Sequence, residues 1–403
     1  MFSKNENNRE NWVCLFLCFM LFLPALNNFL NCIIQTGMKL PVRILTPITY
    51  AFLAIIGAVS YFGLRKKNAG WAVAILAFAF LLGISYFSYP EIRGVMFTSW
   101  YDLVYNPIYK IFFFCVPALI LASDIKDYRK LYDQIIIFAR ITLLIGVFAY
   151  VFVVLYKEKT MQYMVFSYFI ITSVCACFEN FIHKRNWFDF LVALLGATSM
   201  ILCGARGAVV SLVLYIVLRF FVFYPTYDRK KRILLLCILL LGTILIFVFS
   251  KPLLDLASKI CEFLGVDSRF VSSLLEGSFF EGSGREKISD IIIHALIERP
   301  FGYGLYGDRY VTGAYGLSNS TYAHNFVLEI LCDFGVFGFF ILFGGLICFF
   351  SVMKRNRDTA FHAVIWSLLP YGFLQLFFSS SFLENVLFYA IVGFIFGEFK
   401  RRA

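Results

Sequence analysis

Long apolar runs alternate with short polar breaks along this chain, and a helix needs about 20 apolar residues to cross a bilayer. Such runs cover 12–30, 42–63, 70–89, 107–122, 134–156, 161–181, 187–204, 207–224, 233–250, 324–352, 360–378 and 383–399. Almost nothing polar separates 187–204 from 207–224. A single helix over both would be about 57 Å long, nearly twice the hydrocarbon core. Two helices with a turn at Cys203-Gly204-Ala205-Arg206-Gly207 are therefore expected. The pattern predicts an all-α polytopic membrane protein of about twelve transmembrane helices. Residues 1–250 would carry nine of them, 251–323 a large polar loop, and 324–403 the last three.

The loop has helical patterning of its own. Leu253, Leu256, Ala257, Ile260, Phe263 and Leu264 recur at helical spacing, which suits a helix lying on the membrane or against the bundle. A second helix is expected from Arg285, with Ser283 and Glu286 in capping-box register. Ile288, Ile291, Ile292 and Ala295 form its apolar face; Lys287, Asp290, His294 and Glu298 form its polar one. Arg299-Pro300 ends it. A Gly/Tyr-rich stretch then runs to His324, where the next apolar run begins.

Composition supports the bilayer as solvent. The chain is 61% hydrophobic and 15% charged, where ordinary globular chains carry about 25% charge. The net charge of +11 would suit nucleic acid if it were gathered in one patch. Instead it lies in short clusters between apolar runs, as topology signals do. With the N-terminus inside, the inner segments hold 20 Lys and Arg and the short outer loops hold 7. Both termini are then cytoplasmic and 251–323 faces outward. The first apolar run follows a polar start without a small-residue cleavage site, so it is expected to be a retained anchor. Nine of the eleven cysteines fall in predicted spans and no paired CxxC motifs occur, which fits small packing residues better than disulfides or metal ligands.

Three positions carry candidate chemistry. Arg206 sits in the tight turn without an acidic neighbour in sequence. It either snorkels to lipid headgroups or binds an anion through its planar fork. Arg285 opens a helix, where the dipole mildly disfavours a cation. It is either a solvated arginine or half of an anion site completed by free N–H groups. His324 follows a polar Ser-Asn-Ser-Thr run and precedes Asn325. It either makes structural hydrogen bonds or, as a neutral imidazole, takes a proton from a hydroxyl. Glu329 and Asp333 follow in an apolar run, which requires a water-filled groove or pairing with Arg or Lys.

The order Arg285, an amphipathic helix, Pro300-x-Gly302-x-Gly304, a variable loop, His324-Asn325, then Gly335-x-x-Gly338 resembles the O-antigen ligase and polysaccharide polymerase family. The CGARGA turn with Arg206 is similar to that family's arginine between two middle spans. The resemblance covers 205–340. It implies a GT-C type membrane glycosyltransferase that needs neither metal nor cofactor. The donor it implies is a glycan on undecaprenyl diphosphate, with membrane lipids and a chain-length regulator protein as further partners. Arg206 and Arg285 would grip the diphosphate, and His324 would deprotonate the acceptor hydroxyl, which attacks the anomeric carbon with inversion. Tyr303, Arg309, Tyr322 and Asn325 would add substrate contacts. Acceptor choice is expected in 251–323 and in loop 90–106 with Trp100, Tyr101 and Asp102.

The acceptor distinguishes the two family activities. A capsule or O-antigen polymerase extends another lipid-linked repeat unit, and the Ser-Thr-Tyr-Ala-His-Asn entry resembles those enzymes more. A ligase passes the glycan to lipid A core. A transporter or flippase for the same lipid-linked glycan is a third reading. It would favour charges along several spans and an internal repeat, and no repeat is evident.

Overall fold

The computed structural model describes residues 4–39, 45–62, 69–88, 107–156, 163–203, 205–223, 250–264, 268–277, 284–317 and 321–402, with 230 and 233. Every regular element among them is helical. In chain order these are α1 (Lys4–Met38), α2 (Leu45–Phe62), α3 (Ala69–Ser88), α4 (Val116–Asp124), α5 (Tyr128–Leu155), α6 (Tyr163–Lys184), α7 (Trp187–Cys203) and α8 (Arg206–Phe223). Then come α9 (Ser250–Leu264), α10 (Arg269–Leu275), α11 (Arg285–Glu298), α12 (Gly307–Ala314), α13 (Phe326–Phe334), α14 (Val336–Arg355), α15 (Thr359–Gly372) and α16 (Val386–Arg402). A helical turn at Pro107–Lys110 and a π-helical stretch at Ile111–Cys115 lead into α4.

Among the described residues, five helical segments are long and apolar enough to cross a membrane: Asn8–Met38, Tyr128–Leu155, Val165–Lys184, Val336–Arg355 and Thr359–Phe377. Leu45–Ser60, Phe78–Ser88 and Trp187–Cys203 are shorter apolar helices. The expected break between two middle helices is present, since α7 stops at Cys203 and α8 starts at Arg206. The span expected at 233–250 and the loop at 90–106 lie largely or wholly outside the described residues. The span expected over 324–352 is two elements. Gly335 takes φ +56° and ψ −138°, which breaks the helix, so α13 ends there and the membrane-length helix begins at Val336. Hydropathy passes through this break unnoticed because both sides are apolar.

The chain forms two compact units whose segments alternate in sequence, with the divisions falling inside α1 and α5. One comprises Met1–Pro24, Ile44–Ile137 and Gly282–Ala403; the other comprises Ala25–Arg43 and Phe138–Glu281. In the first unit α16 packs on α4 through Gly393 and Gly397. A Cβ on these would lie 2.4 Å from the Leu119 carbonyl and 2.5 Å from the Ser123 carbonyl. This is small-x-x-x-small packing, which lets helix backbones touch where lipid offers no hydrophobic drive to associate.

The second unit is tied by buried ion pairs. Arg140 of α5 grips Asp189 of α7 with bonds of 2.6 and 2.7 Å, and Asn180 of α6 donates to the same carboxylate at 2.6 Å. Glu179 of α6 accepts two bonds from Arg219 of α8, at 2.7 and 2.6 Å, and one from the Tyr215 hydroxyl at 2.5 Å. Charges on apolar helices persist when paired in this way. α9 is helical as its spacing predicts, but Leu256, Ile260 and Phe263 are exposed and Cys261 is buried.

Candidate functional site

The first unit holds Arg285 and His324. α11 forms because Ile288, Ile291, Ile292 and Ala295 recur on one face, and that face is buried against Tyr303, Val311, Ala323 and Cys332. Each isoleucine buried this way contributes about 1.5–3 kcal/mol. The polar positions Lys287, Asp290, His294 and Glu298 are exposed, as expected. The cap differs from the expected one. Gly284, at φ +74°, precedes Arg285 and makes no side-chain cap bond, while Ser283 lies outside the described residues. Arg285 is half-buried at the first helical position.

The two glycine motifs interlock. Val336 N–H donates to the Pro300 carbonyl at 2.8 Å, Tyr303 N–H to Cys332 at 2.8 Å, and Gly304 N–H to Asp333 at 2.9 Å. Backbone therefore meets backbone without room for side chains. A Cβ on Gly302 would sit 2.6 Å from Gly335 N, and one on Gly335 would sit 2.1 Å from the Pro300 carbonyl oxygen. Both glycines also hold positive φ, at +83° and +56°, where L side chains are strained. Pro300-x-Gly302-x-Gly304 is thus the clamp that seats the loop on the break between α13 and α14.

Beneath the loop lies a buried charge network that sequence reasoning did not assemble. Arg309 contacts Asp308 at 3.2 Å, Glu384 at 3.2 Å and Glu329 at 3.6 Å. Lys110 bonds Glu384 at 2.8 Å. Glu329 also accepts from the Ser381 hydroxyl and from Phe382 N–H at 3.2 Å. Asp333 accepts from Gly307 N–H at 3.0 Å. Three carboxyls thus share two cations, and the fourth, Asp333, is held by a backbone amide. Burial first, then the charge of Asp308, pushes Glu329 up to about 8 and holds Asp333 well above the usual carboxylate range. Of the two alternatives for acids in this apolar run, pairing is what Glu329 adopts.

This network holds the approach to His324. Asp308 accepts from Ala323 N–H at 2.9 Å. Thr312 donates to the Thr321 carbonyl at 2.8 Å. The Tyr322 hydroxyl donates to the Ser379 carbonyl at 2.7 Å, and its ring lies over the Arg309 guanidinium. On the other side, the Asn325 side chain caps α13, accepting from Val327 and Leu328 N–H at 3.0 and 3.2 Å. His324 itself takes φ +53°, with its ring 4.0 Å from that of Tyr322. Ala323, pinned by Asp308, and Asn325, tied to the start of α13, flank this uncommon conformation on both sides.

The imidazole is kept neutral. Burial, then the positive charges of Arg285 and Arg309, lower its pKa from 6.5 to about 4. Its Nδ1 is buried and has no hydrogen-bond partner among the described residues. A neutral imidazole with a nitrogen unsatisfied among the described residues, within the electrostatic reach of a half-buried arginine, is equipped to accept a proton near an anion.

The remaining predicted positions have assigned protein contacts. The Tyr303 hydroxyl donates to the Ala295 carbonyl at 3.0 Å, and Arg299 lies over its ring. Arg309 is the buried hub already described. Arg206 opens α8, in the second unit. Asp308, Glu384 and Lys110 were missed because their partners lie as far as 274 residues away. The one local signal was the Asp308-Arg309 pair in a Gly/Tyr loop.

Residues 191–343 match the family described as O-Antigen ligase. The match spans every predicted site residue, from Arg206 through Arg285 to His324 and Asn325, together with both glycine motifs. No curated protein and no solved structure matches the chain. The family is glycosyltransferase-like and its substrates are lipid-linked glycans in a membrane. This domain over residues 191–343, together with several membrane-length helices among the described residues, supports the O-antigen ligase and polysaccharide polymerase family for this chain.

Proposed function

We propose that this protein is a surface-polysaccharide polymerase of the bacterial inner membrane, joining undecaprenyl-diphosphate-linked repeat units at the outer face without a metal. The observation that carries the reading is His324, a neutral imidazole whose buried Nδ1 has no hydrogen-bond partner among the described residues, within the electrostatic reach of Arg285. Neutral His324 takes the proton of an acceptor sugar hydroxyl. The freed oxygen attacks the anomeric carbon of the donor from the face opposite the diphosphate. The bond from that carbon to the diphosphate oxygen breaks, so configuration inverts and undecaprenyl diphosphate leaves. Arg285 stabilises the charge that develops on the leaving group. Tyr303, Arg309, Tyr322 and Asn325 shape the binding region, and a chain-length regulator acts on the growing polymer.

The arginine beside the base has a second consequence. A docked diphosphate offsets the positive charge of Arg285, which removes one cause of the lowered imidazole pKa. His324 then becomes a stronger base only when donor is bound.

The ligase reading is favoured by the description of the matching family, O-Antigen ligase. Purified protein given lipid-linked repeat units distinguishes the two. The polymerase reading expects longer glycans on the lipid carrier without any other acceptor. Transfer that occurs only onto added lipid A core would establish the ligase instead, and exchange across the bilayer with no new bond would establish a transporter.

A further inference from the structure

α11 buries Ile288, Ile292 and Ala295, yet its opposite side is not uniformly polar. Towards its C-terminal end Ile293 and Ile297 are exposed, Ile297 by 71%, and Phe301 just beyond the helix is 74% exposed. Exposed apolar residues scattered singly are ordinary, but these three continue one another at intervals of four. They also continue an apolar wall. The Phe301 ring lies 6.2 Å from the ring of Phe337, and the bond from Val336 N–H to the Pro300 carbonyl fixes the two segments at one level. Phe337 stands in the first turn of α14, a membrane-length apolar helix of which only 11% is buried inside the protein. Val336, Phe337, Phe339 and Phe340 all point outward there. A surface this apolar on a membrane-length helix is covered by lipid.

We propose that Ile293, Ile297 and Phe301 are seated in the lipid surface, at the boundary of headgroups and acyl chains, as the upward extension of the lipid-facing wall of α14. The charge pattern along α11 fits this placement. Glu286, Lys287 and Asp290 are exposed in its N-terminal half, away from the clamp at Pro300, while the apolar stripe occupies the half beside it. The C-terminal end of α11 is thus an interfacial anchor. Through the rigid clamp it sets the height of Arg285 and His324 relative to the bilayer surface.

The test reads position alone, so it stands or falls independently of the glycan chemistry. Ile297→Trp and Phe301→Trp are made singly in the full chain, both at exposed positions that accept the larger ring. Each variant is reconstituted into phosphatidylcholine–phosphatidylglycerol vesicles, plain or brominated on the acyl chain near the headgroup. Subtracting the parent spectrum removes the five native tryptophans. The expected result is a blue-shifted added emission that falls by roughly half or more in brominated lipid and resists aqueous iodide, as interfacial rings do. Asp290→Trp, on the same helix, should show the reverse. Quenching of positions 297 and 301 by iodide but not bromine would place the stripe in water and overturn the proposal. Protection from both quenchers would place it under a second copy or another protein segment, and would overturn it equally.

Discussion

Asp308→Ala probes how His324 is held. Asp308 is fully buried, accepts the Ala323 N–H at 2.9 Å and contacts Arg309 at 3.2 Å. Removing it orphans a buried backbone donor, which costs about 1–3 kcal/mol. It also strips one carboxylate from a buried arginine, and breaking such a pair costs about 3–5 kcal/mol in total. Part of that cost falls on the neighbouring His324, whose left-handed backbone is itself unfavourable by about 1–2 kcal/mol and is sustained only by the residues pinned on each side. Once Ala323 is released, the histidine relaxes. A displacement of about 1 Å in a catalytic group is worth about 100-fold in rate. The expected outcome is therefore a kcat about 100-fold lower, an unchanged KM for lipid-linked donor, and normal amounts of protein in the membrane. Asp308→Asn keeps an oxygen for Ala323 and should recover most of the rate. The assay is glycan elongation by purified protein, with rates taken over a range of donor concentration. Wild-type kcat in Asp308→Ala would refute the argument, and so would equal losses in the Ala and Asn variants.

The pH dependence follows from the lowered pKa of His324, about 4. The neutral form is the active base, so activity is lost as pH falls through that value. At pH 5.5 such a group is about 3% protonated, where an ordinary imidazole is about 90% protonated. The acid limb of kcat/KM should thus lie near pH 4, and that of kcat higher, because bound diphosphate offsets Arg285; a kcat/KM limb at 6.5 would contradict this. Gly335→Ala should cost about 2–5 kcal/mol by combining positive-φ strain with overpacking against the Pro300 carbonyl, seen as a lowered Tm in detergent. Arg285→Gln should raise the free-enzyme acid limb while sharply lowering kcat, whereas a merely solvated arginine would change neither.

How far the sequence alone could see depends on distance along the chain. The apolar face of α11 was legible because Ile288, Ile291, Ile292 and Ala295 carry the period within one helix. The break between α7 and α8 was legible because hydrocarbon thickness forbids one long helix. The start of α14 was not, since a backbone angle at Gly335 decides it and hydropathy has no term for backbone angles. Arg309 could be read only as a loop arginine adding a substrate contact. Its identity as a buried hub depends on Glu329, Glu384 and Lys110, brought together by tertiary packing across up to 274 residues. Asn325 was legible as polar, but its use as the cap of α13 becomes plain only with the backbone turn at His324. The glycine motifs were legible as a spacing; that they are two halves of one backbone clamp was not.

The central claim is that His324 is the base of a glycosyl transfer and Arg285 its anion partner. The most direct measurement is a single turnover of purified His324→Ala with lipid-linked repeat units, read as new glycosidic bonds, beside a measurement of donor binding. The account predicts that donor still binds while bond formation is abolished, with Arg285→Ala losing both. Bond formation by His324→Ala at the wild-type rate would contradict it.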